Sequence, residues 1–203
     1  MPPTSEGGQA GRTFTEVARR AQIVAAAIEV IAEVGSHQAS FARIARRAGL
    51  SSTGLISYHF AGRQELIDEV VSTVVGAITA FMTERMAGVE LPRAALRAHI
   101  EGTVEFIGAH RTQMQALLDI FVSGGFAYGR AEERAATSPV EAILRSGQEA
   151  GEFRDFDPKV MATLIQRAVD GLPFLLAVEP GTDVAAYGAE VATAFDLATR
   201  AEP

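Results

Sequence analysis

The stretch SFARIARRAGLSSTGLISYHF, residues 40–60, decides how this chain is read. Ser40 is suited to cap a helix, because its hydroxyl can accept from an early free amide of the turn that follows. Phe41, Ile44, Ala45 and Ala48 recur at helical spacing, while Arg43, Arg46 and Arg47 fall on the other side. Gly49 stands where a left-handed backbone is needed, which glycine adopts cheaply. Ser51 or Ser52 offers a second N-cap, and Leu55, Ile56 and Phe60 supply the next apolar stripe. Ala45, four residues before Gly49, is small enough to let two helices cross closely around a tight turn. The pattern predicts a helix-turn-helix, whose second helix can enter the major groove of DNA.

Outward from this motif, the charge divides. The net charge is −7, but residues 1–65 carry seven arginines against five glutamates, a net +2, and the remainder carries −9. A cationic N-terminal module on an anionic body suits a protein that meets nucleic acid at one end only. At 203 residues and 48% hydrophobic composition the chain can bury a sizeable core. It has no cysteine, so disulfides, thiolate metal sites and a cysteine nucleophile are excluded. The four histidines, at 37, 59, 99 and 110, form no metal-ligand spacing, and no triad or paired-acid arrangement stands out. Neither a metal nor a cofactor is expected, and an all-α enzyme is the rival reading. The N-terminus lacks the apolar run of a secretory signal, and the apolar run from Val160 to Val178 holds Gln166, Arg167, Asp170 and Pro173. A buried helix and a cytoplasmic protein are expected.

Residues 1–12 are rich in Gly, Pro and Ser and predict a disordered tail. Arg12, Arg19 and Arg20 could form a basic arm that reaches DNA, with a solubilising tail as the alternative for Arg12. A first helix, about 13–34, buries Ile23, Ala26, Ala27, Val30, Ile31 and Val34 and stops at Gly35. The motif helices follow at about 41–48 and 52–59, then a long helix at about 62–87 with Leu66, Val70, Val74, Val75, Ile78 and Phe81 inward. Further helices are expected at about 92–109, 111–122, 139–151, 158–178 with a bend at Pro173, and 183–200 capped by Thr182 or Asp183. Gly129 to Ser138 reads as a loop. The fold class is all-α, about nine helices. A helix-turn-helix domain spans residues 13–62, and a helical effector-binding and dimerisation domain spans 63–203.

The pieces IVAAAIEVIAEVG (23–35), FARIARRAGLS (41–51), GLISYHF (54–60) and GRQELI (62–67) resemble the DNA-binding domain of the tetracycline-repressor (TetR) family of bacterial regulators. Most members of that family have one residue fewer between the turn glycine and the phenylalanine. Most also have tyrosine where this chain has Ser57, and lysine where it has Arg63. The resemblance implies a four-helix dimer interface, a palindromic operator and release of DNA by a small molecule, as in a repressor.

The residues and the resemblance agree on the contacts. Ser40, Arg43, Arg46, Arg47 and Arg63 are expected to hold phosphates. Ser51, Ser52, Thr53, Gly54, Ser57, Tyr58 and His59 are expected to face the groove, with Phe60 as a core anchor. The second motif helix holds no Arg, Asn or Gln, which limits bidentate base reading and leaves a share to water and DNA shape. The helices at about 158–178 and 183–200 are apolar on more than one face, as expected for a homodimer contact. Phe81, Met82, Met86, Phe106, Met114, Leu117, Phe121 and Phe174, with the polar Gln113, Gln166 and Asp170, are the candidate lining of an effector cavity.

Overall fold

The computed structural model describes residues 14–201, so the expected tail and Arg12 lie outside the described residues. Its α-helices are α1 (Phe14–Val34), α2 (Phe41–Arg47), α3 (Gly54–His59), α4 (Arg63–Met86) and α5 (Pro92–Ala109). They continue with α6 (Arg111–Val122), α7 (Arg130–Glu149), α8 (Pro158–Asp170), α9 (Leu172–Val178) and α10 (Val184–Thr199). Ser36–Gln38 adds a short 3-10 turn between α1 and α2. The chain is all-α; the nearest thing to a strand among the described residues is one isolated bridge, Phe153 to Arg200.

The helix limits follow local chemistry. Gly35 ends α1 at φ 80° and Gly49 ends the α2 segment at φ 65°, backbone values that side chains with a Cβ rarely adopt. Ser40 caps α2 by accepting from Arg43 N, Asp157 caps α8 through Lys159 N and Val160 N, and Asp183 rather than Thr182 caps α10. Pro92 and Pro158 each open a helix where their missing N–H costs nothing.

Three of the expected helix limits need correction. The second motif helix begins at Gly54, later than 52, and its N-cap is Thr53, whose side chain makes no capping bond; neither Ser51 nor Ser52 caps it. The expected loop before Pro139 is helical from Arg130, and Pro139 lies inside α7. Helix formers such as Glu132, Glu133, Arg134 and Ala135 outweigh the proline here. Glu132 accepts from Gly129 N at 2.8 Å to start the helix. The long helix at 158–178 is two, parted at Gly171, because Pro173 cannot supply the amide that would continue the ladder.

The buried side chains form two cores. The first joins α1, α2, α3, the opening turns of α4 through Leu66, Val70 and Val74, and Ala116, Leu117 and Ile120 of α6. The second joins α5, α7, α8, α9 and α10 around Ile100, Leu144, Ile165 and Leu172. Met114 packs against both. The motif is therefore closed from below by α4 and α6. Val75, expected inward, is exposed.

Two segments, Arg63–Met86 and Pro158–Val178, have the length and hydropathy of a membrane span. Here Leu66, Val70 and Val74 of the first, and Met161, Ile165 and Leu172 of the second, are buried in the protein's own cores. Gly171 and the charged Arg167 and Asp170 also interrupt the second. Val160, Leu164, Phe174, Val178 and Leu197 remain outside both cores and largely exposed. Leu175 and Val191 instead pack against the second core.

Candidate nucleic-acid interface

The second motif helix is held by one side and shows the other. Ile56 and Phe60 are buried to 0% and 1% exposure and fix α3 onto the first core. Ser51, Ser52, Thr53, Gly54, Leu55, Ser57 and Tyr58 all face outward, and His59 is half-buried. Helix α3 thus presents hydroxyls and a backbone bare of side chain at Gly54, with Tyr58 at 72% exposure standing furthest out. The Tyr58 hydroxyl donates to Glu16 of α1 at 3.2 Å, and its ring meets His59 edge-on at 5.1 Å.

The expected phosphate ligands divide into two groups. Ser40, Arg43 and Arg46 are exposed, and neither arginine has an ion-pair partner among the described residues. Arg47 bridges Glu29 at 3.0 Å and also Glu33, tying α2 to α1. The ion pairs raise its pKa, chiefly through the Glu29 hydrogen bond. Arg63 is exposed too, but its guanidinium is engaged, donating to Ala39 O at 3.0 Å and to Ser36 O. An arginine at a helix start gains nothing from the dipole, and these two carbonyls explain its place. Arg63→Ala is expected to lower unfolding stability by about 1–3 kcal/mol, because both carbonyls lose a charged donor. Urea titration reads this directly, and an unmoved midpoint would show the bonds to be idle.

Several supports carried no sequence signal. Gln22 of α1 donates to Ala48 O at 2.6 Å, at the end of α2. Arg20, expected in a DNA-facing arm, instead donates to His59 O at 2.6 Å, at the end of α3. Two α1 side chains therefore hold the carbonyl ends of both motif helices, which otherwise lack donors. From the body, Asp119 of α6 accepts from Ser36 N at 2.5 Å, and Ser123 meets the Ser36 hydroxyl at 2.9 Å. The turn after α1 is thereby pinned by α6 from the body and by α4 through Arg63.

In the body, the expected cavity residues do not converge as one set. Phe81, Met82 and Phe106 gather between α4 and α5: the two phenyl rings lie 5.5 Å apart and Met82 Sδ is 3.8 Å from the Thr103 hydroxyl. His110 stacks on Phe106 at 4.0 Å. Met86 is half-buried nearby on α4. Leu117 belongs to the first core, with Met114 and Phe121 packed against it. Phe174 is 52% exposed and lines no interior. Gln166 and Arg167 both bond Asp170, at 2.8 and 3.1 Å, so its carboxylate has partners within α8; burial pushes its pKa up. Burial alone lowers His99 to about 4, leaving it neutral at pH 7. Gln113 keeps a buried Oε1 without a hydrogen-bond partner. A separate cleft of about 280 Å³ lies among Ala32, Ile107, Arg111, Met114, Pro173 and Leu176, and shares only Met114 with the expected lining.

A short helix anchored by two apolar side chains, with hydroxyls outward and a glycine turn behind it, defines a helix-turn-helix DNA-binding domain. Residues 23–70 match the family described as bacterial regulatory proteins, tetR family, so the likeness in sequence to that family lies in this domain. It is 37% identical over 101 residues to the HTH-type transcriptional regulator BetI 1 of Chromohalobacter salexigens, covering 49% of this chain and 50% of that protein. It is 32% identical over 107 residues to BetI of Yersinia pestis, covering 52% and 54%. The chain thus spans about half the length of the curated relatives it matches. Among solved structures, a transcriptional regulator from Saccharomonospora viridis in complex with choline superposes with a TM-score of 0.79 at 21% identity, covering 92% of this chain and all of the other (100%). The ketosteroid transcriptional regulator KstR2 of Mycobacterium tuberculosis gives 0.73 at 21%, covering 95% and 99%. The likeness to these structures extends the shared fold through the body.

Proposed function

We propose that this chain is a homodimeric, cytoplasmic transcriptional repressor, released from a palindromic operator by a small, largely apolar molecule. The observation that carries the reading is the outward row from Ser51 to Tyr58 on a helix anchored by Ile56 and Phe60. Ser40, Arg43 and Arg46 flank that row and supply the phosphate contacts, with Arg47 and Arg63 contributing charge from their paired positions. The exposed apolar side chains of α8, α9 and α10 supply the two-fold contact that sets the two readers on adjacent half-sites.

The effector belongs in the body, against the Phe81–Phe106–His110 aromatic stack, with Gln113 as a waiting hydrogen-bond partner. Choline and triclosan occupy proteins of this fold in solved complexes, so small apolar molecules come first in the panel and small quaternary ammonium ions second. The ligand shifts the DNA equilibrium only by its unequal affinity for the two dimer states. The test is release of an operator duplex in a titration with a panel that includes choline and triclosan. Release by any member at concentrations that leave the protein folded supports the reading. Stable operator binding with no release across the panel would reduce the body to a dimerisation module.

A further inference from the structure

The joint between the recognition helix α3 and the connecting helix α4 is three residues long, Phe60 to Gly62, and one cluster clamps it from both ends. Arg20 donates to His59 O at 2.6 Å, which satisfies a terminal carbonyl of α3. The same guanidinium bonds Glu65 Oε1 at 3.2 Å through both terminal nitrogens, and Glu69 Oε2 at 2.5 Å. Glu65 in turn accepts from Ala61 N at 2.7 Å, at the start of α4. The guanidinium carbon sits 4.1 Å from the Phe60 ring centroid, and the Arg20 side chain is only 12% exposed. One cation therefore touches the last turn of α3, the joint, and the first two turns of α4.

Charge decides between this role and a phosphate contact. Among the described residues Arg20 already faces two carboxylates, Glu65 and Glu69, which take up its terminal N–H groups and answer its charge. Both terminal nitrogens of Arg20 donate to acceptors within the protein and its Nε is buried, whereas Arg43 and Arg46 are exposed. On the DNA-binding reading above, we propose that Arg20 is the positioning residue of the recognition helix. With Glu65 it locks α3 to α4 so that the two turn as one piece. Any movement of α4 then re-aims α3 without loss of its register. The effect is on operator recognition, since nonspecific binding depends on phosphate charge and not on where α3 points.

The test uses the full chain, an operator duplex recovered by selection, and a scrambled duplex of equal length. Arg20→Gln, Arg20→Lys and Glu65→Gln are compared with the unaltered protein across a range of salt. Arg20→Gln should weaken operator binding by on the order of tenfold or more, leave the scrambled duplex unaffected, and keep the salt slope. Arg20→Lys, which keeps the charge but whose three donors radiate from a single atom and cannot reproduce the planar fork, should fall between. Glu65→Gln should also weaken operator binding, although it removes a negative charge from a DNA-binding domain.

Three results would overturn the assignment. A salt slope reduced by about one in Arg20→Gln would make Arg20 a phosphate ligand. Tighter operator binding by Glu65→Gln would mean plain charge repulsion. An equal loss on both duplexes would mean that Arg20 only holds the fold. Failure of the unaltered protein to select any operator would instead count against the DNA-binding reading itself.

Discussion

A chain carrying Leu164→Glu and Phe174→Glu is expected to sediment at half the mass of the unaltered protein and to lose operator binding by on the order of a hundredfold or more. Both side chains are just over half exposed, at 53% and 52%, so charge there should cost the folded chain little. Like Val160, Val178 and Leu197, they are exposed apolar groups of α8, α9 and α10 outside the two cores. On the proposed reading these exposed apolar groups form the contact with a second copy. Each reader of a separated pair would have to bind its half-site alone, without the second site held at high local concentration. Leu175 and Val191 would be poor places for the same test, because they pack against the second core and a charge there would disturb the fold itself. A variant that still sediments as the unaltered protein does, with its helical content intact, would place the dimer contact elsewhere.

The second large effect is at Phe60. Its ring is 1% exposed, and the Arg20 guanidinium lies over it. Phe60→Ala removes a full aromatic side chain from the first core and leaves the cation without its ring, a loss of about 3–5 kcal/mol. For a chain of this length the melting temperature should fall by on the order of 10 °C. The loss should register in the motif more than in the second core, which meets the first through Met114. Calorimetry checks the size of the change, and a shift below about 2 °C would mean that the first core does not rest on this ring.

The parts of this structure that were legible in the sequence are those with a local cause. Ser40, Gly49 and Pro92 mark helix limits because a cap, a left-handed turn and a missing amide each act within one turn of chain. The same proline signal misled at Pro139, where the residues before it favour helix strongly enough to absorb the defect. It also hid the gap at Gly171, since a bend and a break look alike in a one-dimensional pattern. The outward face of α3 could be read because Ile56 and Phe60 leave only one way for it to sit.

What held the motif in place could not be read. Arg20 meets His59 39 residues on, Glu65 45 residues on, and Asp119 meets Ser36 across 83 residues. No periodicity encodes such pairs, so Arg20 looked like one more exposed cation near the N-terminus. The same holds for the body. Bulky apolar residues could be assigned to converging helices, but not to one core rather than the other, and Leu117 went to the first.

The central claim is a dimer that reads DNA sequence, and selection of bound duplexes from a random pool at physiological salt tests it most directly. The account predicts recovery of an inverted repeat, with half-site centres about one helical turn apart or a multiple of it. Recovery of no sequence by folded protein, before and after refolding to strip bound small molecules, would contradict it.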